Sequence, residues 1–293
     1  MSKVYQMVQE KFVKKIEEAI ENGGTAPWRK PWKGGLPKNY ITKKPYRGIN
    51  LMMLESGSYL TFNQIKDLSK KNPKIKLRKG SKSHIVVFWN FIEKLDSEDE
   101  DDKFPLLRYY RVFSIADVDG IEEDSVDFET DPIEQAEELI EAYGEECEIR
   151  IQDGSGRAYY TPMLDRITMP SRRQFPKVEE YYSTFFHEMI HSTGHESRLK
   201  RFENPDQLIF GSQSYSKEEL VAEIGSNMIL SVLGIEDESQ QENSVAYLYG
   251  WLSKIKEDPK LITHAAQQAQ KSCDFLLDFV SEATEDLQEP MRA

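Results

Sequence analysis

The sequence predicts an α+β protein of two domains, a small mixed α/β domain over residues 1–125 and a mostly helical domain with a small sheet over 126–293. Three observations carry that reading. Stretches rich in Val, Tyr and Phe fall at 84–91 and 106–115, with shorter strand-like pieces at 148–169, while long helical periodicities open the chain and return from Val178 onward. Charge divides the chain: residues 1–92 hold 19 Lys/Arg against 6 Asp/Glu, and the remainder holds 19 against 45. Residues 117–132 are acidic, poor in apolar pattern and end in Asp131-Pro132, as a linker would. At 293 residues the chain is long enough for a core in each part.

Bulk properties exclude some classes. No apolar run approaches the length of a membrane span, and the amino terminus lacks the pattern of a signal peptide, so a cytoplasmic protein without a membrane partner is expected. Cys147 and Cys273 lie far apart and beside no motif, which argues against a disulfide framework or a cysteine metal site. The basic first third points to a polyanion, most often nucleic acid. A basic face that only docks the acidic segments of the same chain would give the same count.

In chain order, Val4, Val8, Phe12, Ile16 and Ile20 mark an opening helix that Asn22-Gly23-Gly24 stops. Trp28, Arg29, Lys30 and Trp32 follow in a proline-rich loop, then Lys44, Tyr46 and Arg47. Rings interleaved with cations suit single-stranded nucleic acid, because bases stack on flat side chains while Lys and Arg track phosphates. The alternative is that Trp28 and Trp32 plug a small core. Tyr59 to Leu68 reads as a helix opened by Thr61, and Arg78-Lys79-Gly80 as a basic turn. Strands His84–Phe91 and Leu106–Ile115 flank an acidic hairpin loop at 96–102. A helix from Pro132 to Tyr143 leads into strand-like Glu148–Gln152, which with the pieces around Tyr159-Tyr160 and Ile167 forms a small sheet just before the next helix, and Tyr159 or Tyr160 is a candidate oxyanion stabiliser. Helices over 247–256 and 261–283 read as scaffold.

The chemistry gathers at His187-Glu188-Met189-Ile190-His191, where three of the five histidines fall between His187 and His195. The H-E-x-x-H spacing sets two imidazoles one helical turn apart to grip one metal ion, and puts between them a glutamate that can take a proton from water. Val178, Tyr181, Tyr182, Phe185, Phe186, Met189 and Ile190 recur at helical spacing, so the motif lies on an amphipathic helix that Gly194 ends. Zinc is the expected ion, another divalent transition metal the alternative.

A catalytic zinc usually has a third protein ligand. His195 comes two residues early for a metzincin-type third histidine, whose place is held by Ser197. Glu219 and Glu223, four apart on a helix, suit one carboxylate on the metal and one accepting the N–H of a ligating histidine. Glu219-x-x-Ala222-Glu223 resembles the E-x-x-A-D element of gluzincin peptidases, with Glu in place of the final Asp. Ser216-x-x-Glu219 also fits a capping box, which would tie Glu219 back to the helix start.

Together these pieces resemble the ArdC-type antirestriction proteins of conjugative plasmids and other mobile elements. The resemblance covers nearly the whole chain: Pro27-Trp28 with Pro31-Trp32, Lys44 to Asn50, Arg78-Lys79-Gly80, Tyr109 to Phe113, Ala158-Tyr159-Tyr160, His187 to His195 with Arg198-Leu199, Glu218 to Glu223, and Trp251. It departs at Ser192, where the family often has Trp. The resemblance implies an amino-terminal domain that binds single-stranded DNA, a carboxy-terminal zincin-like metallopeptidase domain acting on a protein substrate the sequence does not identify, and protection of incoming DNA from restriction. The expected activity is metal-assisted peptide hydrolysis with His187, His191 and Glu219 as ligands and Glu188 as general base. A protein that coats the strand around a structural metal, and a conjugation accessory factor, are the alternatives.

Overall fold

The computed structural model describes residues 3–22, 26–29, 36–93, 103–121, 132–153, 156–202, 213–236 and 245–286. The expected acidic loop and most of the expected linker lie outside the described residues, as do Lys30 and Trp32.

Helix α1 (Lys3–Asn22) forms as its periodicity requires, burying Val4, Val8, Phe12, Ile16 and Ala19 along one stripe. After β1 (Lys38–Asn39), the short helix α2 (Ile49–Met53) is buried along its whole length. The expected helix from Tyr59 divides at Thr61. Strand β2 (Ser58–Thr61) takes Tyr59 and Leu60, which are fully buried where they pair with β5 (Lys103–Ser114), and α3 (Phe62–Lys71) starts only afterwards. Thr61 does open that helix, through a capping box with Gln64. Sheet pairing overrode a helical pattern that short apolar runs cannot distinguish from a strand.

Strands β4 (His84–Glu93) and β5 form the expected antiparallel hairpin in a four-stranded sheet of order β1-β2-β5-β4. Strand β3 (Lys76–Leu77) pairs with β6 (Val118–Asp119), so structure continues into the first residues assigned to the linker.

In the second part, α4 (Pro132–Glu146) leads to a three-stranded sheet of order β7-β9-β8, formed by β7 (Arg150–Asp153), β8 (Tyr159–Thr161) and β9 (Arg166–Met169). Four helices follow: α5 (Val178–Ser192), α6 (Gln213–Leu233), α7 (Val245–Glu257) and α8 (Leu261–Asp286). Among the described residues no helix is long and apolar enough to cross a membrane.

One hydrophobic core runs through both parts. It includes Phe12, Trp28 and Leu51 from the first and Phe186, Met228, Trp251 and Leu276 from the second. Helix α1 packs on α7 and α8, and the turn carrying Trp28 packs on α6. Helices α5 and α6 pack tightly at Gly225, where a Cβ would stand 2.7 Å from Ile190 Cδ1. A hydrogen there lets the two helices that carry the motifs meet.

Candidate metal centre and nucleic-acid face

Helix α5 presents His187 and His191 on one side, and α6 crosses it so that Glu219 faces both rings. The two Nε2 atoms lie 3.1 Å apart, His187 Nε2 lies 3.5 Å from Glu219 Oε2, and His191 Nε2 lies 3.4 Å from Glu219 Oε1. Ligands about 2.0–2.1 Å from a tetrahedral ion stand about 3.3 Å from one another, so these atoms fit three corners around one ion. They are the group able to hold a metal among the described residues. Glu188 is buried beside them.

His191 is fixed from behind. Its Nδ1 lies 3.4 Å from Glu218 Oε1, and Arg201 holds both oxygens of Glu218, at 2.7 and 3.2 Å. The remaining N–H groups of Arg201 donate to Ile190 O, Thr193 Oγ1 and Ser272 Oγ, so all five guanidinium hydrogens are engaged. Burial alone would keep the His191 imidazole neutral, but Glu218 and Glu219 outweigh it and pull its pKa up to about 10. Burial likewise opposes ionisation of Glu219, yet His187 and His191 hold its carboxyl well below the usual carboxylate range. Glu218 is lowered too, His191 and Arg201 prevailing over burial.

These contacts correct several expectations. The carboxylate behind His191 is Glu218. Glu223 instead accepts the indole N–H of Trp28 at 2.9 Å and the hydroxyl of Tyr247. Helix α6 begins at Gln213, so Ser216 lies inside it and cannot cap it. His195 turns away from the ligand group, with Nδ1 2.8 Å from Ser197 Oγ and 3.9 Å from Asp165 Oδ2. The hydroxyl of Tyr160 donates to Asp165 at 2.7 Å, and Asp165 is also held by Arg198, whereas Tyr159 stands exposed on edge strand β8. Helix α5 ends at Ser192. Gly194 serves close packing, since a Cβ there would lie 2.4 Å from the Phe202 ring.

The first part changes the expected nucleic-acid face more. Trp28 has no exposed surface and packs edge-on to Trp251, so it offers no stacking face and belongs to the core. Arg29 follows in the same short turn, and Arg78 and Lys79 are exposed, with Arg78 paired to Asp119 at 2.7 Å. Lys44, Tyr46 and Arg47 instead line a groove of about 660 Å³ between the β4–β5 hairpin and α8. The Tyr46 ring is 6.4 Å from Phe88, whose ring is 5.8 Å from that of Tyr110. Phe88 and Tyr110 are 44% and 45% exposed, enough to offer open ring faces side by side in the groove. Arg47 is paired with Asp274 across the groove. Phe88 and Tyr110 escaped the sequence reading because aromatic residues in strands usually pack inward. The strand register, which sets Phe88 opposite Arg108 and Val86 opposite Tyr110, is what brings them to one face.

Fold and site together define a protein whose carboxy-terminal half is a zincin-like metallopeptidase domain. Residues 134–268 match the family described as zincin-like metallopeptidase, and residues 6–113 match the N-terminal domain of anti-restriction factor ArdC. The chain belongs to the ArdC-type antirestriction family.

The crystal structure of the antirestriction ArdC protein from plasmid R388 superposes with a TM-score of 0.72 in its metal-free form and 0.73 in its Mn(II)-bound form, at 35% identity, over 96% of this chain and 99% of that one. A Sinorhizobium fredii relative, uncharacterized protein y4eC, is 31% identical over 92% of this chain and 91% of its own length. Two DNA primase TraC proteins of Escherichia coli are 32% and 33% identical over 94% and 95% of this chain, which spans only 20% and 28% of their lengths.

Proposed function

We propose that this protein binds single-stranded DNA and hydrolyses peptide bonds at a zinc site formed by His187, His191 and Glu219, and so protects incoming DNA from restriction. The observation that carries the hydrolytic reading is the triangle of ligand atoms, 3.1 to 3.5 Å on a side, with the buried carboxylate of Glu188 beside it. Zinc held there would supply Lewis-acid activation of water and of the scissile carbonyl. Glu188 takes the proton from the attacking water and returns it to the departing amine. Glu218 and Arg201 keep the His191 ring in one orientation, and Tyr159 is the free phenol on the neighbouring edge strand. Residues 1–125 and 126–293 are the units to which we assign the two activities.

The ArdC-type amino-terminal domain supports the DNA reading, with the strand lying along Phe88 and Tyr110, which the buried Tyr46 ring backs, and its phosphates met by Lys44. One feature favours a second reading, a protein that coats DNA around a structural metal. The three ligands join α5 to α6, so the ion would also cross-link the core.

Glu188→Gln separates them. It keeps the ligands, abolishes protection of incoming DNA if hydrolysis is the mechanism, and leaves protection intact if coating is. Protection measured as plasmid transfer into restricting and non-restricting recipients reads either result.

A further inference from the structure

On the other side of α8 from the aromatic groove is a second cavity, about 460 Å³, bounded by the chain after α5, the start of α6 and α8. Phe202, Val221 and Leu261 give it an apolar floor, and Lys200, Lys217 and Lys271 bring cations to it. Arg201 and Glu218 form part of its wall, but both are held in the network behind His191. Lys217 stands 3.7 Å from Asp258, a loose and largely exposed pair. Four Lys/Arg against two carboxylates is a local excess of positive charge in the part of the chain that is otherwise strongly acidic. Lys271 lines both this cavity and the aromatic groove, so the two adjoin across one helix.

We infer that a single DNA strand seated in the aromatic groove crosses α8 at Lys271 and lays its next nucleotides in this second cavity, with Lys200 and Lys217 on its phosphates. A cationic rim over an apolar floor is the chemistry that a base joined to a phosphate recognises. The strand thereby reaches the back wall of the metal centre. The inference rests on the DNA reading above and extends it from the first part of the chain to the second.

The test compares wild type with Lys200→Asn/Lys217→Gln, in which Asn suits the positive φ of 50° at Lys200. Binding of oligothymidylates of about 4 and about 16 nucleotides, the ends of the usual site-size range, is measured across a salt series. The expected result is equal affinity for the short strand and about tenfold weaker binding of the long one, with a log–log salt slope shallower by about 1.4 for two lost phosphate contacts. Lys217→Arg alone should bind as wild type does, and unchanged thermal unfolding shows that the fold is kept. Equal binding of the long strand by both proteins overturns the second cavity while leaving the first groove standing, as does an equal loss for both lengths. Failure of wild type to bind either strand removes the DNA reading and this inference together.

Discussion

At the candidate metal centre a chain of contacts fixes one ring: His191 is held by Glu218, Glu218 by Arg201, and Arg201 by three further acceptor groups. The groove on the β4–β5 hairpin is the opposite, with Phe88 and Tyr110 nearly half exposed and cations on flexible stems around them. A metal site has to fix atoms to within a few tenths of an ångström, which only a buried and fully bonded frame can do. A surface for strands of any sequence needs open rings and movable charges, and gains nothing from a rigid frame.

If the rigid region is catalytic, its largest single effect is chemical. Glu188→Gln is expected to lower peptide hydrolysis by about 10²–10⁴-fold, because a positioned base contributes on that order. Counting new amino termini in a mixture of host proteins at saturating zinc measures it, and oligonucleotide affinity should stay unchanged. Comparable cleavage by both proteins would end the hydrolytic reading.

The frame behind the ligand comes next. Glu218→Gln is expected to weaken metal binding by about 10–100-fold, the usual cost of losing the partner of a ligating histidine. Competition with a fluorescent chelator reads it. The same measurement has a pH sign. The carboxylates raise the pKa of His191 to about 10, so metal must displace a proton there, and affinity should rise with pH through the neutral range. A flat profile would mean that His191 carries no proton to displace.

The open region should respond in binding but not in stability. Phe88→Ala and Tyr110→Ala are each expected to lose about 1–3 kcal/mol of single-strand affinity per base stacked, with Tm unchanged. Trp28→Phe should do the reverse. It leaves a buried oxygen of Glu223 without the indole N–H, costing about 1–3 kcal/mol of stability with oligonucleotide affinity retained. If Trp28→Phe lost DNA binding at unchanged Tm, the assignment of the two regions would be inverted.

The smallest effect expected is that of Gly225→Ala, whose new methyl meets Ile190. The cost is about 1 kcal/mol, the low end for overpacking, because the nearest atom is the Ile190 Cδ1 methyl, which can shift. A drop in Tm together with weaker metal uptake would tie ligand geometry to the α5–α6 approach. A drop in Tm alone would separate them.

The sequence by itself determined what is local. His187 and His191 share a face because a helix repeats every 3.6 residues, and the hairpin of β4 and β5 could be read from its runs rich in Val, Tyr and Phe. Glu219 could be nominated from its helix, but not chosen over Glu223, because both project from the same face and only the crossing of α6 on α5 decides which one meets the histidines. The same holds for Glu218 and Arg201, which meet at His191 from three separate segments. Trp28 was the residue most open to misreading: a tryptophan among cations looks like a stacking platform until Glu223 and Trp251, about two hundred residues away, are seen to enclose it. Spacing along one element is written in the chain, whereas contacts between elements are set by packing, which the order of residues alone does not specify.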